Sequence, residues 1–277
     1  MRRVLLVMGL LAGPIALAAP PAHADSLGWT IPATGSTSST SAAYGNGRYV
    51  ILSDSSGGGF TSIDGLSFSP LSTGQSRLIN DVIYAGGQFV AVTGGGMSCC
   101  NVLTSPDGLT WTGRTSSLTQ SYTSIAYGNG VYVTVASTNG GPGAAWSADG
   151  VTWDFITTGA RNNAAGVAFG NGTFVEVDNY GQVSTSTDGD TWTQRTSGLT
   201  TAYDIAFGNG VFVIVDSTSA ARAYVSTDGI SWTPATNMPA ASWKAVTFGG
   251  GNFMAVADGG DVVLSSDGFT WVSQGQP

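Results

Sequence analysis

Short stretches of alternating apolar and polar residues, separated by glycine-rich turns, repeat along the chain after residue 35. Residues 205–213 show the unit: an apolar strand ending in Phe207, a Gly-Asn-Gly turn, and a second strand carrying Phe212. Alternation with a period of two is typical of a strand with one buried face, and Asn-Gly between β-forming residues is a strong hairpin signal. Equivalent stretches lie at 42–50, 82–90, 125–133, 167–175 and 246–254. The pattern predicts six β-hairpins.

A second motif, Ser-x-Asp-Gly-x-x-Trp, follows each hairpin. It occurs six times, with Phe68 in place of Trp in the first copy, at 62–68, 105–111, 147–153, 186–192, 226–232 and 265–271. An Asp side chain accepts hydrogen bonds from backbone amides two or three residues on, and Gly takes a positive φ. The motif therefore predicts a tight turn between a third and a fourth strand, and we call it the Asp-Gly turn.

Four strands in about 40 residues is the period of β-propeller blades. The repeats run over 36–76, 77–119, 120–160, 161–199, 200–240 and 241–277. Residues 28–35 match the end of a repeat, such as 191–198, without a preceding hairpin. The sequence predicts an all-β, six-bladed propeller in one domain over 25–277, closed by a strand at 29–33 that lies against the last repeat near Gln276. A seven-bladed ring would need one more Gly-Asn-Gly hairpin, and a β-helix would need shorter coils.

The first 24 residues open on two arginines, continue with an apolar run over 4–19, and end in Ala-His-Ala before Asp25. This order is typical of a secretory signal peptide with a small-x-small cleavage site, so we expect a secreted, extracellular protein. The alternative, a membrane anchor, would need about 20 uninterrupted apolar residues. Pro14 interrupts this run, and we expect no membrane insertion.

The charge balance excludes several partners and reactions. The formal net charge is −8, and loss of the two leader arginines would make it −10. Lys244 is the one lysine, and 9% of the residues are charged. Nucleic acid and anionic membrane surfaces need a basic footprint, so we expect neither as a partner. The one histidine, His23, would leave with the leader, which removes Ser-His-Asp and Cys-His mechanisms and any imidazole for a metal.

If the first strand of each blade lines the channel, the hairpins and Asp-Gly turns share one face, the hairpin face. Loops on the opposite, variable face differ between repeats, as is expected of loops that carry function. Rings stack on sugars while polar groups bond to hydroxyls, so rings beside polar side chains at the channel mouth predict a glycan site. Those residues are Asn80, Asp81, Tyr122, Thr123, Tyr203, Asp204, Trp243 and Lys244. The alternative is that some of the rings cap a blade core.

Three acids, Glu176, Asp178 and Asp216, end second strands of repeats 4 and 5, and Arg222 follows in the next loop. Clustered carboxylates can raise one pKa into the range of a general acid, bind Ca²⁺ through their oxygens, or form a solvated acidic rim. If the chain is catalytic, the candidates are Asp81, Asp204 and Glu176. We expect no cofactor, with calcium as the one alternative.

Cys99 and Cys100 are neighbours in a loop of the variable face. Two thiols in an exported protein usually oxidise. Consecutive Cα atoms lie about 3.8 Å apart, below the usual disulfide range, so a bond between these two would close a strained ring. The sequence favours this vicinal disulfide, with free or intermolecular thiols as the alternative.

The Asp-Gly turns resemble the Asp-box (BNR) repeats of sialidases and of many secreted bacterial propellers. The Gly-Asn-Gly hairpins are similar to those of the WD40/YVTN/BNR-like superfamily, and the resemblance covers nearly all of residues 25–277. It implies a propeller in which the Asp-box is a fold element, set on the face away from the active site. The aspartates concerned are Asp64, Asp107, Asp149, Asp188, Asp228 and Asp267.

The same resemblance implies, for a sialidase, an arginine triad, a Tyr nucleophile paired with a Glu, and an Asp acid/base. The family's Phe/Tyr-Arg-Ile-Pro motif keeps only its end here, at 30–32, without the arginine. Arg77, Arg161 and Arg222 could reach the variable face only from loops. The sialidase motifs are therefore not matched.

Three functions fit these observations. The sequence favours a secreted, monomeric, non-catalytic binding propeller that recognises a carbohydrate or a cell-envelope glycan at the channel mouth. One alternative is a carboxylate-dependent glycoside hydrolase or lyase of sialidase-like architecture. The other is a purely structural role.

Overall fold

The computed structural model describes residues 39–53, 57–94, 101–114, 120–137, 143–156, 163–216 and 223–275. This part of the chain contains 24 strands in six four-stranded antiparallel sheets, and no helix. The sheets are the blades of a propeller ring, which confirms the predicted fold class. The leader, the strand at 29–33, both cysteines, Arg161 and Arg222 lie outside the described residues.

Each blade is a meander of four consecutive strands, from an inner to an outer edge. Blade 1 contains β1 (Ser39–Gly45), β2 (Arg48–Ser53), β3 (Gly58–Ser62) and β4 (Ser69–Ser72). Blade 2 contains β5 (Ile79–Ala85), β6 (Gln88–Thr93), β7 (Val102–Ser105) and β8 (Thr112–Arg114). Blade 3 contains β9 (Ser121–Gly128), β10 (Val131–Ser137), β11 (Ala144–Ser147) and β12 (Asp154–Ile156).

The second half of the described chain repeats this plan. Blade 4 contains β13 (Ala164–Gly170), β14 (Thr173–Asp178), β15 (Val183–Ser186) and β16 (Thr193–Arg195). Blade 5 contains β17 (Asp204–Gly208), β18 (Val211–Val215), β19 (Ala223–Ser226) and β20 (Thr233–Pro234). Blade 6 contains β21 (Trp243–Gly249), β22 (Asn252–Ala257), β23 (Val262–Ser265) and β24 (Val272–Gly275).

In blades 1 to 5, the hairpin between the first and second strands ties the blade to the next one. Asn209 has a positive φ of 46°, a conformation that Asn tolerates and that a two-residue hairpin of this type requires. Its amide donates to the carbonyls of Gly251 (3.0 Å) and Ser266 (2.8 Å) in blade 6. We call this contact the hairpin clasp. Equivalent donors are Asn46, Gln88, Asn129 and Asn171.

The hairpin clasp confirms that hairpins and Asp-Gly turns share one face, because its acceptors include a carbonyl of the next blade's turn. Inside the turn, the Asp64 carboxylate accepts from the N–H groups of Leu66 and Ser67 and from the Ser62 hydroxyl, each at 2.8 Å. These bonds lower the pKa of Asp64 to about 2. The other five turns repeat them.

Five hydrophobic cores lie in the seams between consecutive blades. The core between blades 5 and 6, for example, joins Val213 and Val215 to Trp243 and Phe253. Fully burying a side chain of this kind contributes about 1.5–3 kcal/mol. At the edge of four seams a ring packs on the glycine that ends the preceding inner strand, and a Cβ at Gly208 would overlap the Phe248 ring. Stability therefore comes from repeated contacts between blades.

Candidate functional site

A β-bulge near the start of five of the six inner strands shapes the channel mouth on the variable face. The strand register shifts at Asn80, Thr123, Ala165 and Lys244, and also at Thr40. Tyr203 holds the same position just before β17, where its N–H donates to the carbonyl of Val215. A bulge re-aims the side chains around it. Consequently, residues adjacent in sequence here have different surroundings.

We call the residue that follows the bulge position the bridging position, because in four blades its side chain bonds to a neighbouring inner strand. These residues are Ser41, Asp81, Ser124 and Asp204. Asp81 Oδ2 accepts from the N–H of Ile125 in blade 3 at 3.0 Å, and Oδ1 accepts from the Ser41 hydroxyl of blade 1 at 2.7 Å. Asp204 Oδ2 accepts from Val246 of blade 6 at 3.0 Å. Both acids therefore join blades. A role for them in ligand binding or catalysis stays a prediction.

The residue before each bulge lies in a seam. Tyr122 and Trp243 are both 0% exposed and belong to blade cores. Trp243 Nε1 donates to the carbonyl of Pro239 at 3.0 Å, and burial raises the pKa of Tyr122. Neither ring presents a face to a ligand, so the predicted stacking on these two side chains is wrong. The alternative, that some of the rings cap a blade core, holds for both.

Tyr203 and Lys244 come together at the mouth between blades 5 and 6. Lys244 Nζ lies 3.9 Å from the Tyr203 ring centroid and 3.1 Å from Asp258 Oδ2. Burial lowers the pKa of Lys244, but hydrogen bonds to Tyr203 and Asp258 outweigh that effect and raise it overall. The Asp258 side chain is 55% exposed. This trio holds a ring, a cation and an anion within reach of solvent.

Sequence reasoning missed Asp258, although it follows the end of a second strand, as Asp216 does in blade 5. It also missed Tyr180, which is 60% exposed at the tip of the turn between β14 and β15. Asp178 shapes that turn, because its Oδ1 accepts from the N–H groups of Tyr180 (2.9 Å) and Gln182 (2.8 Å). Tyr180 therefore offers the exposed aromatic side chain that a sugar site needs.

The acids of repeats 4 and 5 are buried. Glu176, Asp178 and Asp216 are 1%, 0% and 3% exposed, so the alternative of a solvated acidic rim is wrong. Glu176 lies opposite Ser184 in the strand ladder. No group of three or more His, Cys, Asp or Glu in the described ranges is placed to hold a metal ion. Calcium binding stays a prediction.

The blade 2 and blade 3 side of the mouth is occupied by bonds between blades. The Asn80 amide donates to the Tyr122 carbonyl at 2.6 Å, and the Thr123 hydroxyl donates to the Ala164 carbonyl at 3.0 Å. Both side chains are half-buried. On blades 4 to 6, by contrast, Tyr180, Tyr203, Lys244 and Asp258 have side chains that solvent reaches.

Several solved structures are similar to this chain, and the proteins they describe differ in function. A streptogramin B lyase superposes with a TM-score of 0.75 at 11% identity, over 88% of this chain and 85% of the lyase. YCF48 bound to D1 peptide gives 0.54 at 17%, over 71% of this chain and 66% of YCF48. The GH74 enzyme of Niastella koreensis gives 0.54 at 21%, over 82% of this chain and 35% of the enzyme.

At these identities the likeness shows the propeller fold alone. No protein-family model matches the chain, and no curated protein matches it. The Asp-box identity therefore stays a prediction. Within the described residues, no helix long and apolar enough to cross a membrane is found.

Proposed function

We propose that this chain is a secreted, non-catalytic binding propeller that recognises a glycan on the variable face across blades 4 to 6. The observation that carries the proposal is the pairing of Tyr203 with Lys244, whose Nζ lies 3.9 Å from the ring centroid. An aromatic ring fixed beside charged hydrogen-bonding groups has the chemistry that a sugar ring requires. Tyr180, exposed in the neighbouring blade, adds a second ring.

The use of the carboxylates supports binding over hydrolysis. Asp81 and Asp204, the acids nearest the channel, accept backbone N–H groups of their own and of neighbouring inner strands. A catalytic acid or base must reach the substrate proton directly or through one water. Oxygens already committed to inter-blade bonds are poorly placed for that transfer.

Charge argues for a neutral or weakly charged glycan. Lys244 is already paired with Asp258 at 3.1 Å, and the chain carries a net charge of −8. A strongly anionic ligand would meet repulsion from this field. Hydroxyl groups, by contrast, can both donate to Asp258 and accept from Lys244.

A glycan array followed by calorimetric titration of the hits tests the proposal. Tyr203→Ala and Tyr180→Ala should each weaken binding roughly ten- to hundredfold, since a lost ring contact of about 1.5–3 kcal/mol corresponds to that range. Lys244→Met should weaken binding less, because a partly exposed ion pair contributes about 1 kcal/mol or less.

Leu66→Ala is the matched control, since Leu66 is 84% exposed in an Asp-Gly turn of the hairpin face. If Tyr203→Ala, Tyr180→Ala and Lys244→Met all bind the glycan as tightly as the wild type does, the site lies elsewhere. A glycosidase screen separates the enzymatic alternative. If the wild type turns over a glycan, and Asp204→Asn abolishes that turnover but still binds the glycan, the protein is a hydrolase or lyase.

A further inference from the structure

Four of the six hairpins place an asparagine directly before a glycine, and these four turns have nearly the same backbone. The residues are Asn46, Asn129, Asn171 and Asn209, with φ values of 49°, 49°, 48° and 46°. All four are exposed to solvent. Each following glycine also has a positive φ and, apart from its chain neighbours, no heavy atom within 4 Å of the place where a Cβ would stand. The hairpin face therefore presents the same local chemistry four times.

An asparagine that precedes a glycine is open to deamidation. The glycine backbone nitrogen attacks the side-chain carbonyl carbon Cγ, so that a C–N bond forms and the bond from Cγ to Nδ2 breaks. The proton of the glycine N–H and the Nδ2 amide group leave together as ammonia. Water then opens the succinimide ring at either of its carbonyls and leaves an aspartate or an isoaspartate. Glycine favours the attack because it has no Cβ to obstruct it.

The hairpin clasp distinguishes the four sites, because the attack requires the side chain to leave its acceptors and turn towards its own glycine. The amides of Asn129, Asn171 and Asn209 each donate to two carbonyls of the next blade, one in its hairpin and one in its Asp-Gly turn. At each of these sites at least one bond is 2.9 Å or shorter. Among the described residues, the Asn46 amide has a single acceptor, the Pro106 carbonyl at 3.3 Å.

We propose that Asn46 is a deamidation site, and that its reaction releases the blade 1 hairpin from blade 2. Its one long bond opens more readily than the paired bonds of the other three sites. The product carries a carboxylate, which has no N–H to donate and faces the partial negative charge of the Pro106 carbonyl. An isoaspartate also adds a methylene to the backbone of the turn. Either product therefore loses this clasp. The site lies on the hairpin face and does not depend on the glycan proposal.

Peptide mapping by mass spectrometry tests the proposal on the full chain during incubation in mildly alkaline buffer. Base is chosen because the glycine nitrogen attacks after losing its proton. We expect Asn46 to deamidate roughly three- to tenfold faster than the other hairpin asparagines, the factor that one additional net hydrogen bond gives. Asn139 also precedes a glycine, but it lies outside the described residues and takes no part in the comparison.

The same incubation in concentrated urea gives the rates without the fold. There the four sites should react at similar rates, because each precedes a glycine. Asn46→Gln is the matched control in buffer, since glutamine keeps the amide but would have to close a larger ring, and its peptide should stay unmodified. Asn46→Asp imitates the product. In this variant hydrogen–deuterium exchange should speed severalfold in the β1–β2 hairpin and stay unchanged in the β17–β18 hairpin.

Three results would overturn the proposal. The first is equal rates at the four sites in the folded chain, or a faster reaction at a site other than Asn46. The second is a lead of Asn46 by the same factor in urea, because the local sequence and not the clasp would then set its rate. The third is unchanged exchange in Asn46→Asp, which would show that this bond does not hold the blade 1 hairpin.

Discussion

The hairpin face and the variable face are built from the same strands but use their side chains differently. On the hairpin face, each Asp-Gly turn satisfies the same amides with the same two side chains, as Ser226 and Asp228 do. On the variable face, the residues at the bulge and bridging positions differ from blade to blade. Repetition marks the groups that hold the fold. Departure from the repeat marks the groups free to take on a function.

The bridging aspartates break this rule, and they give the largest expected effect. Asp81→Ala removes the acceptor of the Ile125 N–H, in a residue that is 3% exposed, and the partner of the Ser41 hydroxyl. Leaving buried groups unsatisfied costs about 1–3 kcal/mol each. We expect the free energy of unfolding, measured by urea denaturation, to fall by about 2–4 kcal/mol.

Ser124→Ala is the matched control, because Ser124 holds the same position but accepts only from Val167 at 3.4 Å. This variant should lower the free energy of unfolding by well under half as much as Asp81→Ala does. An Asp81→Ala protein that unfolds at the wild-type urea concentration would show that the bonds of Asp81 between blades do not stabilise the fold.

Sequence reasoning reached the blades because two signals agree in every repeat. Period-two alternation predicts the strands, and the Asp-Gly turn leaves little choice of connection. It failed at the mouth because a bulge adds one residue and reverses which side the next residue faces. Tyr122 and Tyr203 therefore have the same sequence pattern around them. Tyr122, however, lies before its bulge, in a seam, whereas Tyr203 lies at the bulge position. Nothing in the local sequence marks where the bulge lies.

Low pH should reduce the stability that the Asp-Gly turns of the hairpin face contribute, and we expect an effect of intermediate size. Amide and hydroxyl bonds to the carboxylate lower the pKa of Asp64 to about 2 and lower that of Asp107. A carboxyl whose pKa is depressed in the folded state stabilises the fold above its unfolded pKa of about 4 and loses that contribution as the pH falls towards 2. The melting temperature should therefore drop between pH 4 and pH 2.

Asp64→Asn tests the source of that drop. The variant should be less stable than the wild type at pH 7 and should lose less on acidification, since one titrating carboxyl is gone. A drop of the same size in wild type and variant would assign the acid sensitivity to other groups. Calorimetry at a series of pH values measures both quantities.

The smallest effect is expected at the blade 6 hairpin. Gly250 has a φ of 59° with open space around its Cβ position, so Asn fits there as it does at position 209. Among the described residues no hydrophobic core joins blade 6 to blade 1, so we expect the new amide to find no acceptor carbonyl there. Stability in urea should then change by less than about 0.5 kcal/mol.

Asn209→Gly is the converse control and should cost about 1–2 kcal/mol, because it removes two hydrogen bonds worth about 0.5–1.5 kcal/mol each. A gain of about 1 kcal/mol in Gly250→Asn would mean that blade 6 already lies against the blade 1 turn. That result would contradict the expectation that the new amide finds no acceptor.

The hairpin clasp also bears on how a chain of this kind can change its length. Each of repeats 2 to 5 carries both halves of the contact: the donor in its hairpin and the acceptor carbonyl in its Asp-Gly turn. A tandem duplication would therefore bring both halves with it, and the added blade would join its neighbours through bonds of the existing type. Inserted at the blade 6 and blade 1 junction, such a copy would interrupt no existing clasp. Ring size is thus the property of this architecture that gene duplication can alter with the fewest compensating substitutions.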